Sequence, residues 1–133
     1  MSSASQPATA IDLVEMTVER AQAGFANGAF TSESLTKAFL DRIALYNPSY
    51  NAIVFMNPSA LDDSRSSDAR RASGKSLGPL DGVPVVVKDA MDMAGFLTTG
   101  GWRLLHGKTS GVDLRCATIV GSAPSCLDRR SLM

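Results

Sequence analysis

The chain has 133 residues, of which 44% are hydrophobic and 20% charged, and its 13 basic residues balance its 13 acidic ones. This length and composition suit one soluble globular domain that buries roughly two thirds of its unfolded surface. Binding to nucleic acid or anionic lipid draws on an excess of basic residues, so the balanced charge argues against both partners.

Targeting and metal-binding signals are absent from the sequence. Residues 1–10 are rich in Ser and Ala and carry no basic residue, so they are expected to form a disordered leader and not a signal peptide. No apolar run approaches the roughly 20 residues that cross a bilayer, which predicts no membrane span. Cys116 and Cys126 are too few for a disulfide framework or a metal site. We therefore expect free thiols, a cytoplasmic location, and neither a metal nor a cofactor.

The first half of the chain is predicted to form two amphipathic helices. From Ile11 to Phe25, apolar residues recur at steps of three and four, with Thr9 placed to cap the helix and glycines, Gly24 and Gly28, placed to end it. The same spacing recurs from Leu35 to Tyr46. That second helix is expected to be capped by Thr31 or Ser32 and to stop at Asn47-Pro48.

Two strands and a third helix follow. The short apolar run from Asn51 to Met56 predicts a buried strand. Asn57 is placed to cap a mostly polar helix from about Pro58 to Ser73. The β-branched run from Val83 to Lys88 predicts a strand covered on both faces, as in parallel or mixed sheets. This order of elements predicts an α/β fold.

Lys88 and Asp89 end the second predicted strand, and ligands bind at that end of open α/β sheets. A lysine that closes an apolar strand is expected to be partly desolvated, which favours the neutral amine and lets it act as a base. In the alternative interpretation, Lys88 is solvated at its tip and pairs with Asp89 or Asp92. The residue pattern leaves both interpretations open.

Other candidate motifs are weaker. Two segments, Gly74-Lys75-Ser76 and Gly107-Lys108-Thr109, end like a phosphate-binding loop, but both lack its leading glycine. His106 is the single histidine of the chain and has no partner at a ligand spacing, so it is expected to be an exposed loop residue.

From about Thr31 to Leu105 the chain resembles the amidase signature family of serine amidohydrolases. The segment from Gly78 to Asp89 carries most of that resemblance. The matching residues are Thr31-Ser32-Glu33-Ser34-Leu35, Asp41-Arg42-Ile43, Asn51-Ala52-Ile53, Ala60-Leu61 with Asp68, Gly78 to Asp89, and Gly95 with Thr98-Thr99. The resemblance implies N-terminal helices packed on a fragment of a mixed α/β sheet. It makes residues 11–105 the N-terminal part of an amidase signature domain, and residues 106–133 a diverged and poorly ordered tail.

In that family a Ser nucleophile, a second Ser on a cis peptide bond and a strand-ending Lys hydrolyse carboxylic amides. The resemblance implies that Lys88 is this catalytic lysine, which takes a proton from the bridging Ser and returns it to the leaving amine. The family's Gly/Ser-rich segment, which carries both serines, has no counterpart after Lys88. We therefore expect a truncated or frameshifted N-terminal piece of an amidase that is inactive alone.

The resemblance also implies a partner, a small-molecule amide, although the sequence identifies no substrate-binding residue and no oligomeric state. A second hypothesis is not enzymatic. The two amphipathic helices would form an interaction module, derived from an amidase, that associates with another protein.

Overall fold

A computed structural model of the chain describes residues 11–91, 98–102 and 104, together with the backbone of residues 126–129. The elements are α1 (Val18–Asn27), α2 (Ser32–Tyr50), β1 (Ile53–Met56), α3 (Ala60–Ala72), β2 (Val85–Lys88) and β3 (Cys126–Arg129). This mixture of helices and strands confirms the predicted α/β fold class. Residues 1–10, expected to be a disordered leader, lie outside the described residues.

The described strands form one mixed sheet in the order β1-β3-β2. β3 runs antiparallel to β1 and parallel to β2, and its register places Arg129 opposite Lys88. β3 falls within residues 106–133, the expected tail. Because most of that range lies outside the described residues, the proposed domain boundaries stay a prediction.

Both strands are less buried than the sequence analysis expects. Side chains alternate along β1 and β2, so that Val54 is 44% exposed and Val86 is 49% exposed while their neighbours point inward. The prediction of a buried β1 and of a β2 covered on both faces is therefore wrong for this chain. The outward face of each strand is open to solvent.

Helix α1 begins later than predicted, at Val18, where the Thr17 side chain accepts a hydrogen bond from the Arg20 N–H. The preceding residues form turns because the Asp12 carboxylate accepts the Val14 N–H at 3.0 Å, and the Arg20 guanidinium donates to the Val14 carbonyl at 3.1 Å. Of the apolar residues that the spacing predicts for this segment, Ile11 packs against the core but Val14 is 61% exposed. Leu13 and Met16, which the helical spacing did not select, pack against the core instead.

Helix α2 begins as predicted, with Thr31 as its cap, but it continues through Pro48 to Tyr50. The N–H that proline lacks would bond the Ala44 carbonyl, and Ala44 is exposed, so water can serve that carbonyl. Asn47 then directs the chain into β1, since its side-chain amide bonds both the N–H and the carbonyl of Ile53, at 2.8 and 2.9 Å.

Helix α3 begins at Ala60, two residues later than predicted. Asn57 does not cap this helix directly; its side chain accepts the Ser59 N–H and donates to Asp63, both at 2.9 Å. Asn57 therefore shapes the turn that precedes the helix.

The small core lies between α1 and the start of α2, where Ala21 and Leu35 are fully buried and Phe25 is 8% exposed. Phe25 meets Phe30 edge to face, with ring centroids 5.6 Å apart. Gly24, expected to end α1, lies inside it instead. A Cβ at Gly24 would overlap the Phe30 ring, so the small size of Gly24 lets Phe30 pack closely against α1.

Gly82 is the residue at which the segment leading to β2 contacts both α2 and α3. Its φ is +84°, and a Cβ there would lie 2.5 Å from Ser67 Oγ and 2.8 Å from Ser32 Oγ. The Ser32 hydroxyl donates to the Gly82 carbonyl at 2.6 Å. Gly82 is thus required by both its backbone conformation and its surroundings.

We predict that Gly82→Ala destabilises the chain by about 3 kcal/mol or more, because strain at positive φ adds to a clash with two buried hydroxyls. Gly74→Ala is the matched control: Gly74 has φ +70° but nothing within 4 Å of a Cβ, so only the backbone cost of about 1–2 kcal/mol applies. Urea unfolding of the two variants measures the difference. Equal losses would contradict the close approach at Gly82.

Candidate active site at the end of strand β2

Lys88 lies where the sequence analysis places it, at the C-terminal end of β2. Its carbonyl accepts the Met91 N–H at 2.8 Å, which turns the chain away from the strand. The Lys88 side chain is exposed, so the expected desolvation is wrong for this chain. The sheet places the amine at the correct end for a ligand but does not bury it.

The alternative expectation, an ion pair between Lys88 and a neighbouring carboxylate, is also not observed among the described residues. Asp89 forms no salt bridge with Lys88, and its carboxylate is bound elsewhere. Asp92 lies outside the described residues. In the part of the chain that the structure describes, the Lys88 side chain is therefore accessible to an approaching group.

Asp89 is only 4% exposed and is held by residues that come ten to twelve positions later. Its carboxylate accepts the Thr99 N–H at 2.7 Å, the Thr99 hydroxyl, and the Gly101 N–H at 3.2 Å. Burial opposes ionisation of Asp89, but these hydrogen bonds outweigh it and lower the pKa of the carboxyl. Asp89 is thus a buried carboxylate with donors on both oxygens.

Those donors belong to a tight turn, residues 99–102, closed by a 2.8 Å hydrogen bond from the Trp102 N–H to the Thr99 carbonyl. Gly100 and Gly101 have φ values of +56° and +77°, which a two-residue turn of this hand requires. Trp102, the last residue of this turn, is 59% exposed. The sequence analysis missed this attachment of Asp89 to the turn, which we call the Asp89 anchor. An Asp and a Thr-Gly-Gly ten residues apart have no periodic signal.

A second buried carboxylate, Asp81, holds the chain before it enters β2. Asp81 is 5% exposed, and Arg70 from α3 binds both of its oxygens, at 2.6 and 3.3 Å. The Leu77 N–H donates to it at 3.0 Å. Burial opposes ionisation here too, yet the bonds from Arg70 and Leu77 prevail and lower the pKa of Asp81 to about 2.

Asp68 of α3 connects this helix to the start of α2. Its carboxylate accepts the Ser32 N–H at 2.8 Å and the Glu33 N–H at 3.0 Å, which satisfies donors at the start of α2. Arg71 bonds Asp68 at 3.2 Å and the Asp81 carbonyl at 2.7 Å. The start of α2, the end of α3 and the entry to β2 are therefore one hydrogen-bonded unit.

A family model described as Amidase matches residues 34–120 of the chain. The chain belongs to the amidase family. The matched range includes the whole of β2 and extends past Leu105, where the motif resemblance ends.

Curated relatives of this amidase-family chain include a glutamyl-tRNA(Gln) amidotransferase subunit from Chloroflexus aurantiacus, 43% identical over 97 residues. That alignment covers 72% of the chain and 20% of the relative. The equivalent protein of Salinispora arenicola is 40% identical over the same length. The chain thus spans about a fifth of the length of the curated relatives it matches.

Solved amidase structures share the fold. The peptide amidase from Stenotrophomonas maltophilia superposes with a TM-score of 0.77 at 30% identity, over 88% of this chain and 24% of that one. An amidase family protein from Bacillus anthracis gives 0.78 at 27% identity, again over 88% of this chain and 24% of that one. The resemblance to amidase signature enzymes is therefore confirmed.

Among the described residues, no helix is long and apolar enough to cross a membrane.

We predict that Asp81→Asn lowers the stability of the chain by about 2 kcal/mol at neutral pH, the value of a pKa shift from 3.8 to about 2. Because the folded-state pKa lies below the unfolded one, this contribution is fully present above pH 3.8 and is lost as the pH falls toward 2. Denaturant unfolding at several pH values should show the two proteins converging in acid.

Asp41→Asn is the control for this experiment, since Asp41 pairs with Lys37 at 2.7 Å on the exposed face of α2. Its loss should be within about 0.5 kcal/mol at every pH. An Asp81→Asn variant as stable as the unsubstituted chain at neutral pH would show that the Arg70 pair contributes nothing.

Proposed function

We propose that this chain carries the lysine-bearing N-terminal part of an amidase active site that hydrolyses carboxylic amides. The observation that supports the proposal most is the placement of Lys88 at the exposed end of β2, in a chain of the amidase family. Lys88 would move the proton in this reaction, and the substrate would be a small-molecule amide.

The proposed chemistry needs a neutral amine. The amine accepts the proton of the bridging Ser while the bridging oxygen takes the proton of the nucleophilic Ser, whose oxygen attacks the amide carbonyl. The ammonium then returns its proton, through the bridging Ser, to the leaving nitrogen. Burial is what favours the neutral form of a lysine. Lys88 is exposed here, so we propose that the protein segments that supply both serines also cover it.

On this proposal the 133 residues alone are inactive, because no Gly/Ser-rich segment of the amidase type follows Lys88. The same proposal places the protein in the cytoplasm. It also requires further protein that supplies both serines and so completes the site. The alternative of a non-catalytic helical module stays a prediction with no supporting observation among the described residues.

We predict that the purified chain hydrolyses a panel of simple amides no faster than buffer. Ammonia release measured over several hours checks this result, with Lys88→Ala as the matched control. Hydrolysis above background that disappears in Lys88→Ala would contradict the expected inactivity, although it would support the role of the lysine.

The role of Lys88 is tested by grafting residues 34–120 into the corresponding part of the Stenotrophomonas peptide amidase. We predict that the graft hydrolyses a peptide amide and that Lys88→Ala lowers kcat by about 100-fold or more, the usual contribution of proton transfer. Lys75→Ala, at an exposed loop lysine, should leave the rate unchanged. A folded but inactive graft, or an active Lys88→Ala graft, would overturn the proposal.

A further inference from the structure

We propose that Asp89 is a positioning residue for Lys88: its carboxylate fastens the turn of residues 99–102 to the end of β2 and so fixes the backbone that presents the amine. The inference rests on the proposed function of Lys88. In this inference Asp89 acts on the backbone next to Lys88 and not as a counter-ion of the Lys88 side chain.

The two residues are adjacent in the chain but differ completely in environment. Successive side chains at a strand end point to opposite faces, so an exposed Lys88 places Asp89 on the inner side. There Asp89 is 4% exposed. A buried carboxylate is tolerated only when hydrogen-bonded, and every donor that Asp89 has among the described residues comes from the turn.

The attachment uses the backbone of Asp89 as well as its side chain. The Asp89 carbonyl accepts the Gly100 N–H at 3.3 Å, while the carboxylate holds Thr99 and Gly101. On its other side, Lys88 is held by the parallel register of β2 with β3. Lys88 thus lies between a strand ladder and an anchored turn, which restricts its backbone on both sides.

An asparagine at position 89 distinguishes the hydrogen-bonding role of the carboxylate from the space that the side chain fills. The Thr99 N–H and the Gly101 N–H bind different oxygens of the carboxylate. Either orientation of an asparagine amide therefore turns its NH₂ group toward one of those N–H donors. Asp89→Asn keeps the side-chain shape and breaks the anchor.

Trp102, the single tryptophan of the chain, reports directly on the turn. In the full 133-residue chain, we expect Asp89→Asn and Thr99→Val to lower the fluorescence anisotropy of Trp102, while Thr99→Ser, which keeps the hydroxyl, retains it. Asp41→Asn is the control for loss of one surface carboxylate. Circular dichroism establishes that the helices persist, and if Asp89→Asn unfolds the chain, the two Thr99 variants carry the test. Unchanged anisotropy in folded variants that lack the anchor would overturn the inference.

The second arm measures kcat and KM for the peptide amidase graft. Misplacement of a catalytic group costs on the order of 100-fold, so Asp89→Asn and Thr99→Val should lower kcat by at least about tenfold with KM within about twofold, and Thr99→Ser should restore kcat. Loss of anisotropy with an unchanged kcat per folded molecule would overturn the positioning role alone. An active Lys88→Ala graft would overturn the proposed function and the positioning role together.

Discussion

Strand β2 depends on a carboxylate that is buried before the strand begins. Asp81 is ionised in an almost inaccessible place because Arg70 binds both of its oxygens, and Arg71, the next residue of α3, bonds its carbonyl. Without Arg70, the Asp81 carboxylate would be an uncompensated buried charge. Two consecutive arginines at the end of one helix therefore fix where the strand can start.

The same chemistry recurs where β2 ends. Asp89 is also buried and also has its pKa lowered by hydrogen bonds that outweigh burial. Between these two anchors, the strand residues alternate between half-buried and exposed positions, and β3 is the described element on which β2 mainly packs. Polar contacts thus fix the chain at both ends of β2, and the ladder with β3 holds the strand between them.

The sequence predicted the parts of this fold that depend on local pattern. Apolar spacing identified the first two helices and the core residues Ala21, Phe25 and Leu35. It failed before α1, where the Asp12 and Arg20 side chains bond the backbone and bring Leu13 and Met16, and not Val14, to the core. The Asp89 anchor could not be predicted, since it joins residues ten apart through polar groups. The exposure of Lys88 was missed for a related reason: an apolar strand indicates burial only when something covers both of its faces.

That last difference separates two properties that the proposed role of Lys88 requires. Its location is a local property, determined by a strand, its ladder and an anchored turn that lie within the described residues. Burial, which favours the neutral form of a lysine, would require protein on the outward face of the sheet, where Val86 is also exposed. On the proposed role of Lys88, the described residues fix its position but do not supply the dry environment that favours a neutral lysine. Protein that covers the outward face of β2 would supply that environment without any change in the backbone that holds the amine.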